Sequence, residues 1–292
     1  MKEIVVISGK GGTGKTSLTA SFAVLGGQNV VVADCDVDAA DMHLLLEPDF
    51  AHAENFFSGE LAIIDQAKCC DCGLCEDVCR YGAIDVIEGN YIIDELGCEG
   101  CGYCARVCPD EAITNIEQNV GQWFRSAIRT KTTMIHARLK VGADNSGKLV
   151  AKVKKMAREA AENDNKNWIL VDGSPGVGCP VISSLSGASL VVLVTEPTVA
   201  GLHDLRRAHQ LVKRFGIKSS CVINKADLNS DVRGDLHRFL EEEKIPVLAE
   251  IPYNEQFTAA MTNGKTIVEW DADLEQLVRG CWEKVTQLAD DS

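Results

Sequence analysis

One octapeptide near the start of the chain, Gly9-Lys10-Gly11-Gly12-Thr13-Gly14-Lys15-Thr16, constrains its fold more than any other stretch. It matches the phosphate-loop pattern G-x-x-x-x-G-K-[ST] at every fixed position. The apolar residues 4–7 before it predict a strand, and residues 17–25 after it predict a helix. Glycines let successive backbone N–H groups face an anion, and the helix N-terminus adds a positive dipole end. The stretch therefore predicts an α/β fold with a phosphate-binding loop after its first strand.

Two side chains of this loop have defined predicted roles. Lys15 is placed to reach the terminal phosphates of a nucleotide, and the Thr16 hydroxyl is placed to bind Mg²⁺. The alternative, a glycine-rich turn without phosphate affinity, is disfavoured by the strand and helix patterns around it. The predicted nucleotide contacts of the loop are Gly11, Gly12, Thr13, Gly14, Lys15, Thr16 and Ser17.

Lys10 gives the loop a second lysine, so that it reads KGGTGKT. This resembles the deviant Walker A motif of the MinD/Mrp/ParA group of P-loop ATPases, which includes the nitrogenase iron protein. The resemblance implies Mg²⁺-dependent binding and hydrolysis of ATP in a sandwich dimer, in which Lys10 reaches the partner's nucleotide. The dimer would pair two copies of this chain, or this chain with a paralogue. A solvated loop lysine is the alternative interpretation of Lys10.

Carboxylates follow two predicted strands that are expected to lie beside the loop. Asp34, Asp36 and Asp38 follow residues 29–33, and Asp172 ends the apolar segment 168–172. Acids at the carboxyl edge of a parallel sheet are placed to act on Mg²⁺ and water. The resemblance assigns Asp36 to the attacking water and Asp172, in a Walker B strand, to the water shell of Mg²⁺. Asp34 and Asp38 stay open between holding the loop and holding that shell, and Asp38 also suits a helix cap.

Three more residues are assigned by the resemblance. Asn224 ends a predicted strand and would hydrogen-bond adenine, and Pro252 and Tyr253 would wall the adenine pocket. After Asp172 the chain reads Gly173-Ser174-Pro175-Gly176, which resembles the mobile switch II loop of the family. Ser174 departs from the Pro-Pro-Gly that family members often have there.

Eight of the thirteen cysteines form two regular runs, C-x₂-C-x₂-C-x₃-C. This spacing is typical of bacterial ferredoxins, in which the fourth cysteine of each run binds the other cluster. We therefore predict two [4Fe–4S] clusters, one held by Cys69, Cys72, Cys75 and Cys108 and the other by Cys98, Cys101, Cys104 and Cys79. Zinc is the alternative metal, but zinc does not require interleaved ligand sets. Arg80 replaces the usual proline after the first run, which removes no ligand.

Charge and hydropathy exclude some classes of function. A formal charge of −14 argues against nucleic-acid binding, which needs basic residues to neutralise phosphates. Two clusters would add about −4, so the surface near them should favour a basic partner. No apolar run is long enough to span a bilayer, and the chain begins with a strand rather than a signal peptide. We therefore expect a cytoplasmic protein without a direct membrane anchor.

The patterns combine into one architecture. We predict a mostly parallel sheet with helices on both faces, formed by residues 1–59 and 116–292, with a ferredoxin-like α+β domain inserted at 60–115. The favoured function is ATP hydrolysis coupled to electron transfer through the clusters. The alternatives are an Mrp-like carrier of Fe–S clusters, or a factor for metallocentre maturation, and a MinD-like positioning switch with redox-sensing clusters. The redox or client protein is not identified by the sequence.

Overall fold

The computed structural model of this chain describes residues 1–143 and 146–291. Its strands are β1 (Lys2–Ser8), β2 (Val30–Asp34), β3 (His52–Ile64), β4 (Ile84–Ile87), β5 (Asn90–Ile93), β6 (Ile113–Ala127), β7 (Thr133–Leu139), β8 (Trp168–Asp172), β9 (Leu190–Thr195), β10 (Lys218–Asn224) and β11 (Val247–Ile251). Its α-helices are α1 (Lys15–Gly26), α2 (Met42–Leu46), α3 (Leu74–Asp77), α4 (Tyr103–Val107), α5 (Ser146–Asn163), α6 (Cys179–Leu185), α7 (Val199–Arg214), α8 (Ser230–Glu242), α9 (Gln256–Thr262) and α10 (Ala272–Asp290).

Nine of these strands form one sheet in the order β11-β10-β9-β1-β8-β2-β7-β6-β3. The pairs from β11 through β7 are parallel, and β1 lies between β9 and β8. The loops that follow β1, β2, β8 and β9 therefore emerge at the same edge of the sheet. This arrangement gathers the predicted phosphate loop and the predicted acids at that edge.

Both faces of the parallel part of the sheet are covered. Ile4 and Val6 of β1 belong to a buried cluster that includes Phe22 of α1 and Val278 of α10. The alternate residue Val5 points to the opposite face and is also fully buried. A strand that is buried on both faces is typical of a parallel sheet between two layers of helices. The predicted α/β class with a mostly parallel sheet is confirmed.

The chain forms two compact units. The first comprises Met1–Glu54, Trp123–Arg138 and Ser146–Ser292, and the second comprises Asn55–Gln122 and Leu139–Asn145. The second unit contains the whole predicted insert and extends beyond both of its ends. The predicted boundaries at 60 and 115 fall inside β3 and β6, two long strands that the hydropathy pattern did not indicate.

The structure refines several boundaries that the sequence pattern indicates. The pattern predicts a helix from Leu149 to Glu162, whereas α5 begins at Ser146, three residues earlier. It predicts a turn at residues 144–148, of which Asp144 and Asn145 lie outside the described residues. It also predicts extended structure over 122–139, where the structure has the end of β6 and the whole of β7.

Helix α10 packs its apolar face into the core of the first unit. The ring of Trp282 lies 5.2 Å from that of Phe22 in α1, centroid to centroid, and Val278 and Val285 are fully buried. The apolar spacing over residues 274–288 predicts a helix that packs on the sheet, and this prediction is confirmed. Among the residues described, none of the helices combines the length and apolarity that crossing a membrane requires.

The second unit contains two similar halves. In one, α3 is followed by β4, and in the other α4 is followed by β6, while β4 and β5 form an antiparallel hairpin. Its core is small and consists of Ala62, Cys75, Ile84, Cys104 and Ile113, with three more cysteines packed against it. The cysteines of this unit therefore form a large part of its interior.

Candidate functional site

The loop between β1 and α1 has the backbone that its glycines allow. Gly12 and Gly14 adopt positive φ values of 77° and 89°, a region that favours glycine. A Cβ on Gly14 would also lie 2.3 Å from the side-chain nitrogen of Asn224. Asn224 Nδ2 donates a hydrogen bond to the Thr13 carbonyl at 2.8 Å. Asn224 therefore stabilises the loop through its backbone, and the lack of a side chain at Gly14 makes room for the Asn224 amide.

A cleft of about 390 Å³ opens in front of this loop. Its volume lies within the usual range for small-molecule sites. A Cβ on Gly11 or Gly12 would meet nothing within 4 Å, so these residues border open space. The cleft is lined by Ser8, Gly11, Gly12, Thr13, Gly14, Lys15, Thr16, Ser17, Asp36, Ala39, Asp41, Leu44, Leu45, Pro175 and Met261. The structure thus brings together all seven predicted loop contacts and Asp36.

Lys15 lies among carboxylates at the base of the cleft. Its Nζ is 2.9 Å from Asp172 Oδ2 and 3.4 Å from Asp36 Oδ2. Thr16 Oγ1 donates to Asp172 Oδ2 at 2.8 Å. Burial alone would lower the pKa of Lys15, but Asp172, Asp36 and Asp34 outweigh it and raise the pKa. The lysine is therefore charged and in contact with Asp172. The hydroxyl of Thr16 and the carboxylate of Asp172 lie close enough to act on the same metal ion.

Asp34 carries an unpaired oxygen beside this group. Its Oδ1 accepts a hydrogen bond from the Asp36 backbone N–H at 3.1 Å. Its Oδ2 is buried and has no hydrogen-bond partner in the part of the chain that the structure describes, and the same holds for Thr13 Oγ1. Burial first and then the charge of Asp172 raise the pKa of Asp34 well above its usual value. Three buried acids, Asp34, Asp36 and Asp172, thus lie close together, an arrangement that suits binding of a hydrated cation.

The donor set suits magnesium bound to a nucleotide. Among residues 1–143 and 146–291, no group of three or more His, Cys, Asp or Glu side chains is arranged to hold a single metal ion. Mg²⁺ does not require such a cage, because it keeps several waters and takes other ligands from phosphates. Thr16 would be its direct ligand, with Asp172 and Asp34 as partners for its waters.

Lys10 lies on the other side of the loop and is held by Glu196, which follows β9. Lys10 Nζ is 2.6 Å from Glu196 Oε1, and Lys225 Nζ is 2.8 Å from Oε2. Lys225 also donates to the Gly12 carbonyl at 3.0 Å. Burial would raise the pKa of Glu196, but hydrogen bonds from the two lysines lower it, so the carboxylate stays ionised. The sequence analysis missed Glu196; an acid directly after a core strand was the available signal.

A hydroxyl links the two acid-bearing loops. Ser174 is buried, and its Oγ donates to the Cys35 carbonyl at 2.8 Å. Cys35 lies between Asp34 and Asp36, and Ser174 lies two residues after Asp172. Ser174, noted in the sequence as a departure from a proline, therefore ties the loop after β8 to the loop after β2.

Four other predicted residues, Asp38, Asn224, Pro252 and Tyr253, do not line the cleft. Pro252 and Tyr253 are exposed, and the Tyr253 backbone N–H donates to Asp227 Oδ1 at 2.6 Å. The Asn224 amide is already bonded to the loop backbone, and Asp38 is exposed. The adenine contacts assigned to Asn224, Pro252 and Tyr253 stay predictions.

The cysteines of the second unit line two separate cavities. One is lined by Cys79, Cys98, Cys101 and Cys104, and the other by Cys69, Cys72, Cys75 and Cys108, with Cys70 beside them. These are the two interleaved sets, each with the fourth cysteine of the opposite run. The arrangement brings every predicted ligand to the cavity to which the sequence assigned it.

The two cavities have matching surroundings. Equivalent cysteines share their exposure: Cys75 and Cys104 are buried, whereas Cys72 and Cys101 are exposed. The Ala83 N–H donates to Cys79 Sγ at 3.4 Å, and the Ala112 N–H donates to Cys108 Sγ at 3.3 Å. Both repeats therefore present four thiols with the same pattern of burial and the same backbone donor.

Comparisons with known proteins agree with the fold and the loop. The model of the CobQ/CobB/MinD/ParA nucleotide binding domain, CbiA, matches residues 4–267. The chain belongs to this family. A relative, the uncharacterized protein MJ0578 of Methanocaldococcus jannaschii, is 34% identical over 230 residues, which are 78% of this chain and 79% of that protein. A second uncharacterized protein of that organism, MJ0579, is 26% identical over 93% of both chains.

A solved structure shows the same architecture. The septum site-determining protein MinD complexed with Mg-ADP, from Pyrococcus horikoshii OT3, aligns with a TM-score of 0.59 at 20% identity, over 99% of this chain and 97% of that one. This likeness shows the fold of the CobQ/CobB/MinD/ParA family. The membership and the loop geometry together establish a nucleotide-binding P-loop protein of that family.

Proposed function

We propose that this chain hydrolyses Mg–ATP, dimerises through the bound nucleotide, and couples ATP turnover to electron transfer through two [4Fe–4S] clusters. The observation that carries the cluster assignment is the partition of eight cysteines into two cavities, each with the interleaved four-thiol set. A single zinc ion would require sulfurs about 3.8 Å apart, since each lies about 2.3 Å from the metal. A cluster instead spreads its four thiolates over four irons, which is the use of two interleaved sets that bacterial ferredoxins make.

The nucleotide half of the proposal uses the side chains around the cleft. The backbone from Gly11 to Gly14 and the N-terminus of α1 would hold the phosphates, with Lys15 on their terminal oxygens. For this, Lys15 exchanges its contact with Asp172 for the phosphate, which leaves Asp172 and Thr16 for the hydrated magnesium. Asp36, on the wall of the cleft, would orient the attacking water. Lys10 of each protomer would complete the site of its partner, so the monomer should turn over slowly.

The cluster half depends on the thiol sets of the second unit. A [4Fe–4S] cluster supplies a site that gains or loses one electron at a time. The four thiolates of each set would hold it, and the buried Cys75 and Cys104 would exclude part of the solvent. The backbone N–H groups of Ala83 and Ala112 donate to the sulfurs of Cys79 and Cys108. Four thiols in each cavity favour clusters that are retained over clusters that are handed on, which disfavours an Fe–S carrier.

An anaerobic EPR redox titration of the as-purified protein, with and without Mg–ATP, tests this function. Iron and sulfide should approach two [4Fe–4S] clusters per chain. A nucleotide-dependent shift in potential of about 59 mV or more, tenfold in a one-electron equilibrium, would support coupling. A native protein loaded with zinc and free of iron would contradict the cluster assignment.

A second candidate is a positioning switch in which ATP controls partner assembly. The observation that favours it is the structural likeness to the septum site-determining protein MinD across almost the whole chain. Intact clusters whose potentials do not respond to nucleotide, combined with ATP-dependent association of the protein, would favour this candidate over coupled electron transfer.

A further inference from the structure

A groove in the second unit lies directly beside one of the cysteine cavities. It is lined by Phe57, Gly59, Glu60, Leu61, Glu95, Leu96, Cys98, Glu99, Ile116, Glu117, Gln118, Asn119, Lys140, Val141, Gly142 and Ala143, and has a volume of about 370 Å³. Cys98 and Glu99 line both this groove and the cavity with Cys79, Cys101 and Cys104. The groove therefore reaches a predicted cluster ligand, which makes it a short route between that cluster and a molecule outside.

Large apolar side chains of the groove are open to solvent. Phe57 and Ile116 are about half exposed, Leu96 is 74% exposed and Val141 is 98% exposed. Single exposed apolar residues are ordinary, but a group of them around one concave surface is typical of a binding site. The hydrophobic part of a partner surface would be buried here.

The rim of this groove is acidic. Glu95, Glu99 and Glu117 form no ion pair within the described part of the chain, and Glu60 accepts a hydrogen bond from Asn115 at 2.8 Å. Lys140 is the basic residue among the lining side chains. The whole second unit has 14 acidic and 4 basic residues and so carries −10 of the formal charge of −14. Bound clusters would add to this charge. The complementary surface is basic.

We propose that this groove docks a basic one-electron carrier protein, whose apolar side chains contact Leu96 and Val141 while its lysines and arginines face Glu95, Glu99 and Glu117. The inference rests on the proposed function, because it requires a cluster at Cys98. Each transfer oxidises one reduced cluster by one electron and reduces one carrier by one electron, and no covalent bond forms or breaks. Acidic residues around an apolar contact accelerate the encounter, and the apolar contact orders the complex.

The test is stopped-flow oxidation of the dithionite-reduced full-length protein by cytochrome c, a basic one-electron acceptor used as the probe. The groove variant Glu95→Gln/Glu99→Gln/Glu117→Gln is compared with the control Asp85→Asn/Glu88→Gln/Glu111→Gln, which removes the same charge elsewhere in the unit. At low ionic strength we expect the groove variant to lose about tenfold in second-order rate constant and the control less than about threefold. The difference should vanish at high salt, where exposed charges are screened.

A second variant and a second probe complete the design. Leu96→Ser should lower the rate with cytochrome c at every ionic strength, because apolar contact is not screened. Ferricyanide, a small anion, should oxidise all variants at least as fast as the unaltered protein, which shows that the clusters are intact. Equal losses in the groove and control variants, with full iron content and unchanged EPR spectra, would overturn the docking site alone. An iron-free protein would overturn both the docking site and the proposed function.

Discussion

The two compact units of this chain build their cores from different material. The first unit buries aliphatic side chains of parallel strands, with Phe22 and Trp282 filling the space between α1 and α10. The second unit, of about 75 residues, has a core of five buried residues of which two are cysteines. A domain of this size buries too little apolar surface to be more than marginally stable. The first core consists of side chains alone, whereas the proposed clusters would complete the second.

The two units also differ in how their charged side chains are paired. In the first unit buried lysines are paired with buried acids, as in Lys15 with Asp172 and Lys154 with Glu3. Among the described residues of the second unit the ion pair is Lys68 with Asp65, at 4.0 Å. Buried lysines of the first unit are therefore paired with acids, although one oxygen of Asp34 stays unpaired, whereas the described acids of the second unit face solvent.

Removal of iron should produce the largest difference between the two units, because it should destabilise the second and leave nucleotide binding by the first unchanged. A chelator applied under anaerobic conditions should remove the proposed clusters. The core of the second unit would then consist of a few apolar side chains and unliganded thiols. If the metal-loaded unit is stable by roughly 5 kcal/mol, protease cleavage within 55–122 should accelerate by more than about 1,000-fold. ADP affinity should change by less than about twofold, since every predicted nucleotide contact lies in the first unit. Limited proteolysis with mass spectrometry and ADP calorimetry measure the two effects, and a second unit that resists protease without iron would break the comparison.

Loss of the P-loop lysine should give the opposite pattern. Lys15→Ala removes the cation predicted to stabilise the transferring phosphoryl group, so kcat for ATP should fall by about 100-fold. Iron content and EPR spectra should not change, because Lys15 lies in the first unit. Lys213→Ala, which alters an exposed ion pair with Glu243, is the matched control and should hydrolyse ATP at the normal rate. Normal turnover by Lys15→Ala would contradict the assigned site.

The sequence predicted the parts of both units that depend on local spacing. The phosphate loop and the interleaved cysteine sets each follow from a short motif, because strand, turn and helix fix the positions of neighbours in the chain. The ties between distant segments could not be predicted in this way. Glu196 lies 186 residues after Lys10, and Ser174 lies 139 residues after Cys35, so only the order of strands in the sheet brings each pair together.

The boundaries of the second unit could not be predicted from the sequence either. Strands β3 and β6 continue from one unit into the other without a glycine- or proline-rich linker at the boundary. Composition changes near Glu60, but the backbone there is in the middle of a strand. Hydropathy periodicity does not indicate such a strand, because most of the side chains of β3 are exposed on both faces.

The ion pair between Lys10 and Glu196 restrains Lys10 within its own protomer, and breaking this pair tests whether the restraint opposes dimerisation. In Glu196→Gln the buried carboxylate becomes a neutral amide, so Lys10 no longer loses an ion pair when it reaches toward the partner. A symmetric dimer breaks two such ion pairs, so at about 1 kcal/mol for each partly exposed lysine the dissociation constant of the ATP-bound dimer should fall about 30-fold. Sedimentation with a non-hydrolysable ATP analogue measures it, with Glu243→Gln as the control acid. A dimer that is weakened in Glu196→Gln would instead mean that Glu196 positions Lys10 for catalysis.

The smallest expected effect concerns a buried histidine in β7 of the first unit. His136 Nε2 lies 2.9 Å from Ser126 Oγ, and its ring stacks on Phe124 at 5.0 Å. Burial first, and then the charges of His43 and Arg138, lower its pKa from 6.5 to about 4, against the opposing effect of Asp49.

The unfolded chain therefore binds this proton more readily than the folded one, and stability is fully present above pH 6.5 and lost as the pH falls toward 4. Between pH 7.5 and 5.5 the loss should be about 1.4 kcal/mol, or about 3–5 °C in melting temperature for a unit of this size. His136→Gln should remove most of this difference while its absolute stability falls. Calorimetry at both pH values tests this: an equal pH dependence in the variant would mean that folding does not lower the pKa of His136, so that the core of the first unit accepts the charged imidazole as readily as water does.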